Sequence, residues 1–411
     1  MKNNSNFGKF MLLWMGELIS SIGGGLTSFG LGVYIFRQTG SAASMAVVTL
    51  LGFLPTLLLS VPAGVLADRY DRRLLMMIGD GCSALGILYI LICMIRAEAS
   101  LAQICIGVFV SAVFSALLEP SFRATITDLL SQEEYSRASG LVSLAGSARY
   151  LFSPVIAGFL LSVSDVRLLL VIDICTFFLT VAAAAIVRKG IGAKSVETKE
   201  SFGESLKGGF EAVKSRKGVF TLVLISSGRT LFMGMFQILA EPMVLSFADS
   251  KTLGIAETVC AGGMLVSGII LGIKGLKSHY VLILSASLFL AGAFMFGFGI
   301  DENIIMICAF GFLFFTMLPF ANNCLDYLTR TNIPDELQGR AWGLIGFLSQ
   351  LGYVVAYGIS GVAADMLGDI TGRGVGRGSA MVIQVAGICQ AVIALSILFV
   401  RSIKELEKGT I

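Results

Sequence analysis

The chain has 411 residues, of which 55% are hydrophobic and only 14% charged, and its mean hydropathy is +0.86. Soluble proteins of this length carry about a quarter charged residues, so the composition excludes a water-soluble globular fold and gives no footing for a nucleic-acid partner. The formal net charge is +3, and the information lies in where the positive residues fall.

Twelve apolar runs are expected as spans: 10–36, 42–66, 74–95, 100–122, 139–161, 167–187, 218–244, 253–274, 280–299, 303–327, 341–364 and 379–400. Each crosses a hydrocarbon core of about 30 Å at about 1.5 Å per residue. Helices meet their own backbone hydrogen bonds in lipid, so the reading is an all-α integral membrane protein. The first run is too long for a signal-peptide core and lacks a small-x-small cleavage site before a soluble domain, so it reads as a retained span.

Span one carries Glu17, about 12 Å deep counted from Lys9, and Phe29. Ionisable groups inside spans cost about 2.5–3.5 kcal/mol on insertion scales and default to functional hypotheses. Glu17 is the first candidate for proton coupling, the alternative being a static ion pair with Arg149 or Arg229. Between spans two and three lies GVLADRYDRR, with five charges in six residues from Asp68 to Arg73. Gly64 reads as a close-packing position. Asp68 reads as a cap for helix three or a partner for a helix of the other half, and Arg69, Arg72 and Arg73 as anchors to headgroups or helix ends. Asp80 and Glu119 fall nearer the cytoplasmic face, and Glu119 is expected to pair with Arg123.

Span five holds Arg149 near mid-depth, followed by Pro154 and Gly158, which are expected to kink and loosen the helix. Span six places Asp173 in its outer third, a second proton-coupling candidate. The polar stretch 188–217 separates six spans (1–187) from six (218–411), and its second half, SFGESLKGGFEAVK, has the spacing of an amphipathic surface helix. Span seven supplies Arg229, Phe232, Phe236 and Gln237, and places Glu241 at its outer end. Span ten supplies Asn322 and Asn323 as hydrogen-bonding candidates, with Asp326 expected to pair with Arg330. With 29 Phe and 16 Met, the chain suits a pliable apolar cavity for amphipathic molecules.

With both termini inside, 22 Lys and Arg fall on the inner segments, six fall outside and two lie within spans. This is a positive-inside pattern with both termini in the cytoplasm of a bacterial cell membrane. The halves also repeat. LISS recurs at offset 206, and LSQEEYSRASGL (Leu130–Leu141) parallels IPDELQGRAWGL (Ile333–Leu344), both ending R-A-x-G-L. Two related six-helix bundles about a midplane site are the architecture of a rocking transporter.

GVLADRYDRR resembles the loop between helices two and three of the major facilitator superfamily, G-x-x-x-D-R/K-x-G-x-R/K-R/K. Gly64, Asp68, Arg69 and Arg73 match; Asp71 stands at the second Gly and Leu74 at the final basic position. GELISSIGGGLT, ADRYDRRLLMMIGD and IPDELQGRAWG resemble the macrolide-efflux and enterobactin-exporter branch. The resemblance implies two pseudo-symmetric six-helix bundles, and makes Gly64, Asp68, Arg69 and Arg73 a conformational latch. SPVIAG (Ser153–Gly158) is a degenerate match to the antiporter pattern of helix five. Span four lacks the arginine that many drug/proton antiporters carry there.

The eight cysteines all lie in apolar runs without metal-ligand spacing, His279 is the sole histidine, and no G-x-x-x-x-G-K-[ST] loop is present. No metal, cofactor or enzymatic activity is expected. The expected function is proton-coupled export of amphipathic drug-like, metabolite-like or siderophore-like molecules by a monomer, with protons and lipids as its other partners. Proton-coupled uptake and a non-transporting sensor or scaffold of the same fold are the alternatives.

Overall fold

The computed structural model describes residues 6–188, 217–333 and 338–408. Among these every regular element is helical. In chain order they are α1 (Phe7–Thr39), α2 (Ala42–Arg69), α3 (Arg72–Arg96), α4 (Leu101–Ser115), α5 (Leu118–Leu129), a 3₁₀ turn (Gln132–Glu134), α6 (Tyr135–Val163) and α7 (Val166–Arg188). Then follow α8 (Lys217–Leu245), α9 (Ser250–Lys274), α10 (Tyr280–Phe298), α11 (Ile304–Arg330), α12 (Gln338–Thr371), α13 (Gly374–Ile397) and α14 (Arg401–Lys408). Twelve of the described stretches are long and apolar enough to cross a membrane. The expected amphipathic helix after residue 200 lies outside the described residues.

The largest departures from the expected boundaries are at the ends of the fourth and eleventh spans. The fourth span runs on to Leu129 but breaks between Ser115 and Leu118. Pro120 lacks an N–H and its ring crowds the carbonyl four residues back, at Ala116, so the ladder fails there. At the other end, α4 starts on a capping box of Ser100 and Gln103. The eleventh span runs to Thr371 rather than 364 because Asp365 ends an apolar run without ending a helix.

The described residues fall into two compact units. The first holds 6–39, 47–188 and 250–255; the second holds 40–46, 217–249 and 256–408. In the first, Phe10, Leu13 and Trp14 of α1 pack with Met76, Phe122, Ala145 and Ala184. In the second, Leu222, Leu284, Leu328, Ala394 and Ile403 form the corresponding core, which α14 closes with Leu406. Outer faces carry large bare side chains such as Ile273 (79% exposed) and Phe178. In water such surfaces drive association; against acyl chains they are in their own solvent.

Candidate functional site

The first unit collects buried carboxyl groups. A glycine run lets α1 approach its neighbours: a Cβ on Gly23 would collide with Thr176 and sit 2.9 Å from Asp173 Oδ1, and one on Gly25 would collide with Ser153. That approach sets Glu17 of α1 in the same bundle as Asp173 of α7. Asp80 of α3 feels the charge of both. Asp80 is only 1% exposed, and neither carboxyl oxygen has a hydrogen-bond partner among the described residues. Glu17, likewise, makes no ion pair there with Arg149. Thr176 Oγ1 donates to the Asp173 carbonyl at 2.7 Å and lies 3.5 Å from its carboxylate. Arg149 acts on Asp173 electrostatically, and its Nη2 donates to Ser28 Oγ at 2.8 Å. Sequence reasoning put Asp80 nearer the cytoplasmic face and left it out of the site. Its position eight residues into α3, in register with neither loop, was the available signal.

Pro154 lies within a continuous α6. Gly158 stands where that helix meets α9. A Cβ there would stand 2.6 Å from Ser250 O and 3.2 Å from Lys251 Cα, so the glycine allows a close approach of backbone.

The charged loop is more tightly held than its pattern implies. Asp71, not Asp68, caps α3, accepting from the Arg73 amide at 3.1 Å. Asp68 is 42% exposed on its side chain and reaches Arg72 at 3.8 Å. Arg73 is 2% exposed and donates to Asp128 Oδ2 at 3.0 Å, while Arg72 donates to Asp128 Oδ1 and to Ala124 O at 2.8 Å each. Arg188 Nε donates to Asp71 at 2.7 Å. Burial alone would push the Asp71 carboxyl up, but Arg188 and the α3 amides outweigh it and hold it below the usual aspartate range. Gly64 is not a packing position, since a Cβ there meets nothing within 4 Å. Arg69 is exposed.

In the second unit, Arg229 of α8 has a buried Nε without a partner among the described residues. Its charged neighbour is Asp326 of α11. The expected Asp326–Arg330 ion pair does not form, although Arg330 acts on Asp326 electrostatically. Glu119 and Arg123 do pair, at 2.9 Å. Phe236 is packed among Phe298, Phe314 and Phe315, with centroids 4.5–5.9 Å away. Phe232 is buried in the second unit and Phe29 in the first. Gln237 accepts from the Tyr357 hydroxyl at 3.0 Å. Asn322 and Asn323 are exposed on α11. Asp365, absent from any sequence expectation, accepts from Ser41 Oγ at 2.6 Å and from the amides of Ala42 and Ala43, capping α2.

These features bear comparison with known proteins. A family model described as Major Facilitator Superfamily matches residues 13–357. Macrolide efflux protein A of Streptococcus pyogenes is 26% identical over 88% of this chain and 90% of its own length. The multidrug efflux pump Tap of Mycolicibacterium fortuitum is 23% identical, over 89% of this chain and 91% of its own. In fold, the chain is similar to a bacterial homologue of the iron transporter ferroportin, with a TM-score of 0.74 at 13% identity, covering 95% of this chain and 98% of that one.

Proposed function

Because the chain belongs to the Major Facilitator Superfamily, we propose that it is a proton-coupled exporter of amphipathic small molecules, working by alternating access as a monomer in a bacterial cell membrane with both termini in the cytoplasm. The efflux activities in the names of its relatives support the direction. The observation that carries the coupling is the set of Glu17, Asp80 and Asp173 in one bundle, with Asp80 and Asp173 buried and the Asp80 oxygens without a hydrogen-bond partner among the described residues.

Burial disfavours the charged form of a carboxyl group. A carboxyl that is dry in one state and hydrated in the other therefore takes up a proton in the first and releases it in the second. In this scheme Glu17 and Asp173 carry the proton. Arg149 supplies the counter-charge that makes release affordable to the bundle, and Arg229, Gln237, Asn322 and Asn323 offer polar contacts to substrate. Phe232 and Phe236, packed in the second unit, and Phe29, packed in the first, are the apolar side chains assigned to the substrate. Gly64, Asp68, Arg69 and Arg73 belong to the latch that selects between states, with Pro154 and Gly158 shaping helix five.

The test uses purified protein in liposomes with an imposed pH gradient and the amphipathic dye Hoechst 33342. Gradient-driven dye movement that is lost in Glu17→Gln and Asp173→Asn supports the reading. Dye movement indifferent to the gradient removes proton coupling, and dye binding without any flux favours a sensor. Asp68→Asn slows turnover and leaves dye binding intact; normal turnover retires the latch.

A further inference from the structure

A cavity of about 170 Å³ lies inside the second unit, walled by α8, α11 and α12. Its polar lining is Ser226, Asp326, Thr329, Trp342 and Ser349, and aliphatic side chains complete the wall. The volume is similar to that of an engineered cavity that accepts one benzene ring. Gly346 also lines it, and a Cβ built there meets nothing within 4 Å.

Two of the lining residues bring buried donors that bond to nothing among the described residues, the indole Nε1 of Trp342 and Oγ of Ser349. A buried donor left unmade costs about 1–3 kcal/mol. Asp326 adds acceptor oxygens. Arg229 and Arg330 both act on it at a distance without closing an ion pair, and the Arg330 guanidinium sits 5.7 Å from the Trp342 ring centroid. Asp326 thus already faces two cationic side chains. What the cavity lacks is hydrogen bonds, and its lining offers both acceptor oxygens and unpartnered donors.

We propose that this cavity is a subsite for a neutral, hydroxylated six-membered ring, such as the sugar of a glycosylated amphiphile. Ring hydroxyls donate to Asp326, and ring and hydroxyl oxygens accept from the in-plane Nε1–H of Trp342 and from the Ser349 hydroxyl. The site draws on the end of α11 and the starts of α8 and α12, the ends that the charge pattern assigns to the cytoplasm, where an exporter loads. The inference rests on the exporter reading and specifies part of what is exported.

Trp14 and Trp342 are the two tryptophans of the chain, so Trp14→Phe leaves Trp342 as the sole indole reporter. In phospholipid nanodiscs, this variant is titrated below micellar concentration with octyl β-glucoside, 1-octanol and octylamine, which share a chain and differ in headgroup. The expected result is a saturable change in Trp342 emission with the glucoside alone. Asp326→Asn raises its Kd about tenfold, Ser349→Ala about threefold, and Gly346→Leu abolishes the response by filling the cavity. An equal response to octanol, a response confined to octylamine, or a glucoside response that survives Gly346→Leu overturns the proposal. So does silence toward the glucoside, which leaves a cavity that holds water only. If the same protein still moves Hoechst 33342 in liposomes, the subsite alone has failed. Glucoside binding without gradient-driven dye movement removes the exporter reading instead.

Discussion

The loop between α2 and α3 and the loop between α9 and α10 each join two long apolar helices, yet they secure the following helix in opposite ways. In the first, the cap is local: Asp71 accepts the Arg73 amide, Arg188 holds Asp71, and Asp128 takes up both Arg72 and Arg73. In the second, GIKGLK has no carboxylate of its own, and Gly275 and His279 take left-handed turns with φ of 60° and 62°. There Glu407 of α14 reaches back to cap α10, accepting from the Tyr280 amide at 2.7 Å and the Val281 amide at 3.4 Å. Asn332 ties α14 down by donating to Leu406 O at 3.1 Å. Lys274 and Lys277 are exposed and form no ion pair among the described residues. A helix N-terminus needs acceptors for its first amides, and the two loops meet that need with different residues. In the first unit the arginines are built into the bundle; in the second the lysines are left to solvent or headgroups.

That contrast is broken most directly at Asp128. Asp128→Asn strands Arg73, buried with its neighbour Arg72, and is expected to cost about 3–5 kcal/mol, the usual loss when one partner of a buried pair is removed; thermal unfolding in detergent measures it. A loss below 1 kcal/mol would mean that the arginines find other partners and the clasp is superficial. Glu407→Ala removes both cap bonds of α10 and should lower stability by about 1–2 kcal/mol, with faster amide exchange confined to the first turn of α10 and to α14.

Asp71→Asn is next, at up to about 1 kcal/mol: asparagine keeps the cap but loses the charge that pairs with Arg188, and the change carries a pH signature. The folded Asp71 carboxyl is held below its unfolded range. Its contribution is therefore complete above the unfolded value of about 3.9 and disappears as pH falls through the lower folded value. The stability gap between wild type and Asp71→Asn should be constant from about pH 5 to 8 and should close in stronger acid; a gap that closes near neutrality points to another group. The smallest effect is Lys277→Ala, expected within about 0.5 kcal/mol. A loss comparable to that of Asp128→Asn would erase the difference between the loops.

Much of this was legible beforehand, unevenly. Span number and most boundaries follow from runs of apolar residues, because crossing lipid is a constraint each segment meets alone. The break at 116–117 follows from Pro120 and was overlooked because the run stays apolar through it. Glu119 and Arg123 were readable as neighbours one helical turn apart. Asp326 and Arg330 have the same spacing and do not pair, so spacing permits an ion pair without requiring it. Asp68 was readable as a cap for α3 or as a partner for a helix of the other half, while the adjacent Asp71, a departure from the family pattern, holds the cap.

Hydropathy, a sum over neighbours in the chain, determined by itself that this is a helical membrane protein with twelve spans, and the charged-loop motif pointed to the family. Tertiary structure alone decided that Asp128 serves two arginines, that Glu407 caps a helix begun 127 residues earlier, that Asp80 stands without a hydrogen-bond partner, and that Trp342 and Asp326 share one cavity. The reason is that a buried charge or donor is satisfied by whatever folding brings beside it, and the chain spells out residues without spelling out which of them will meet.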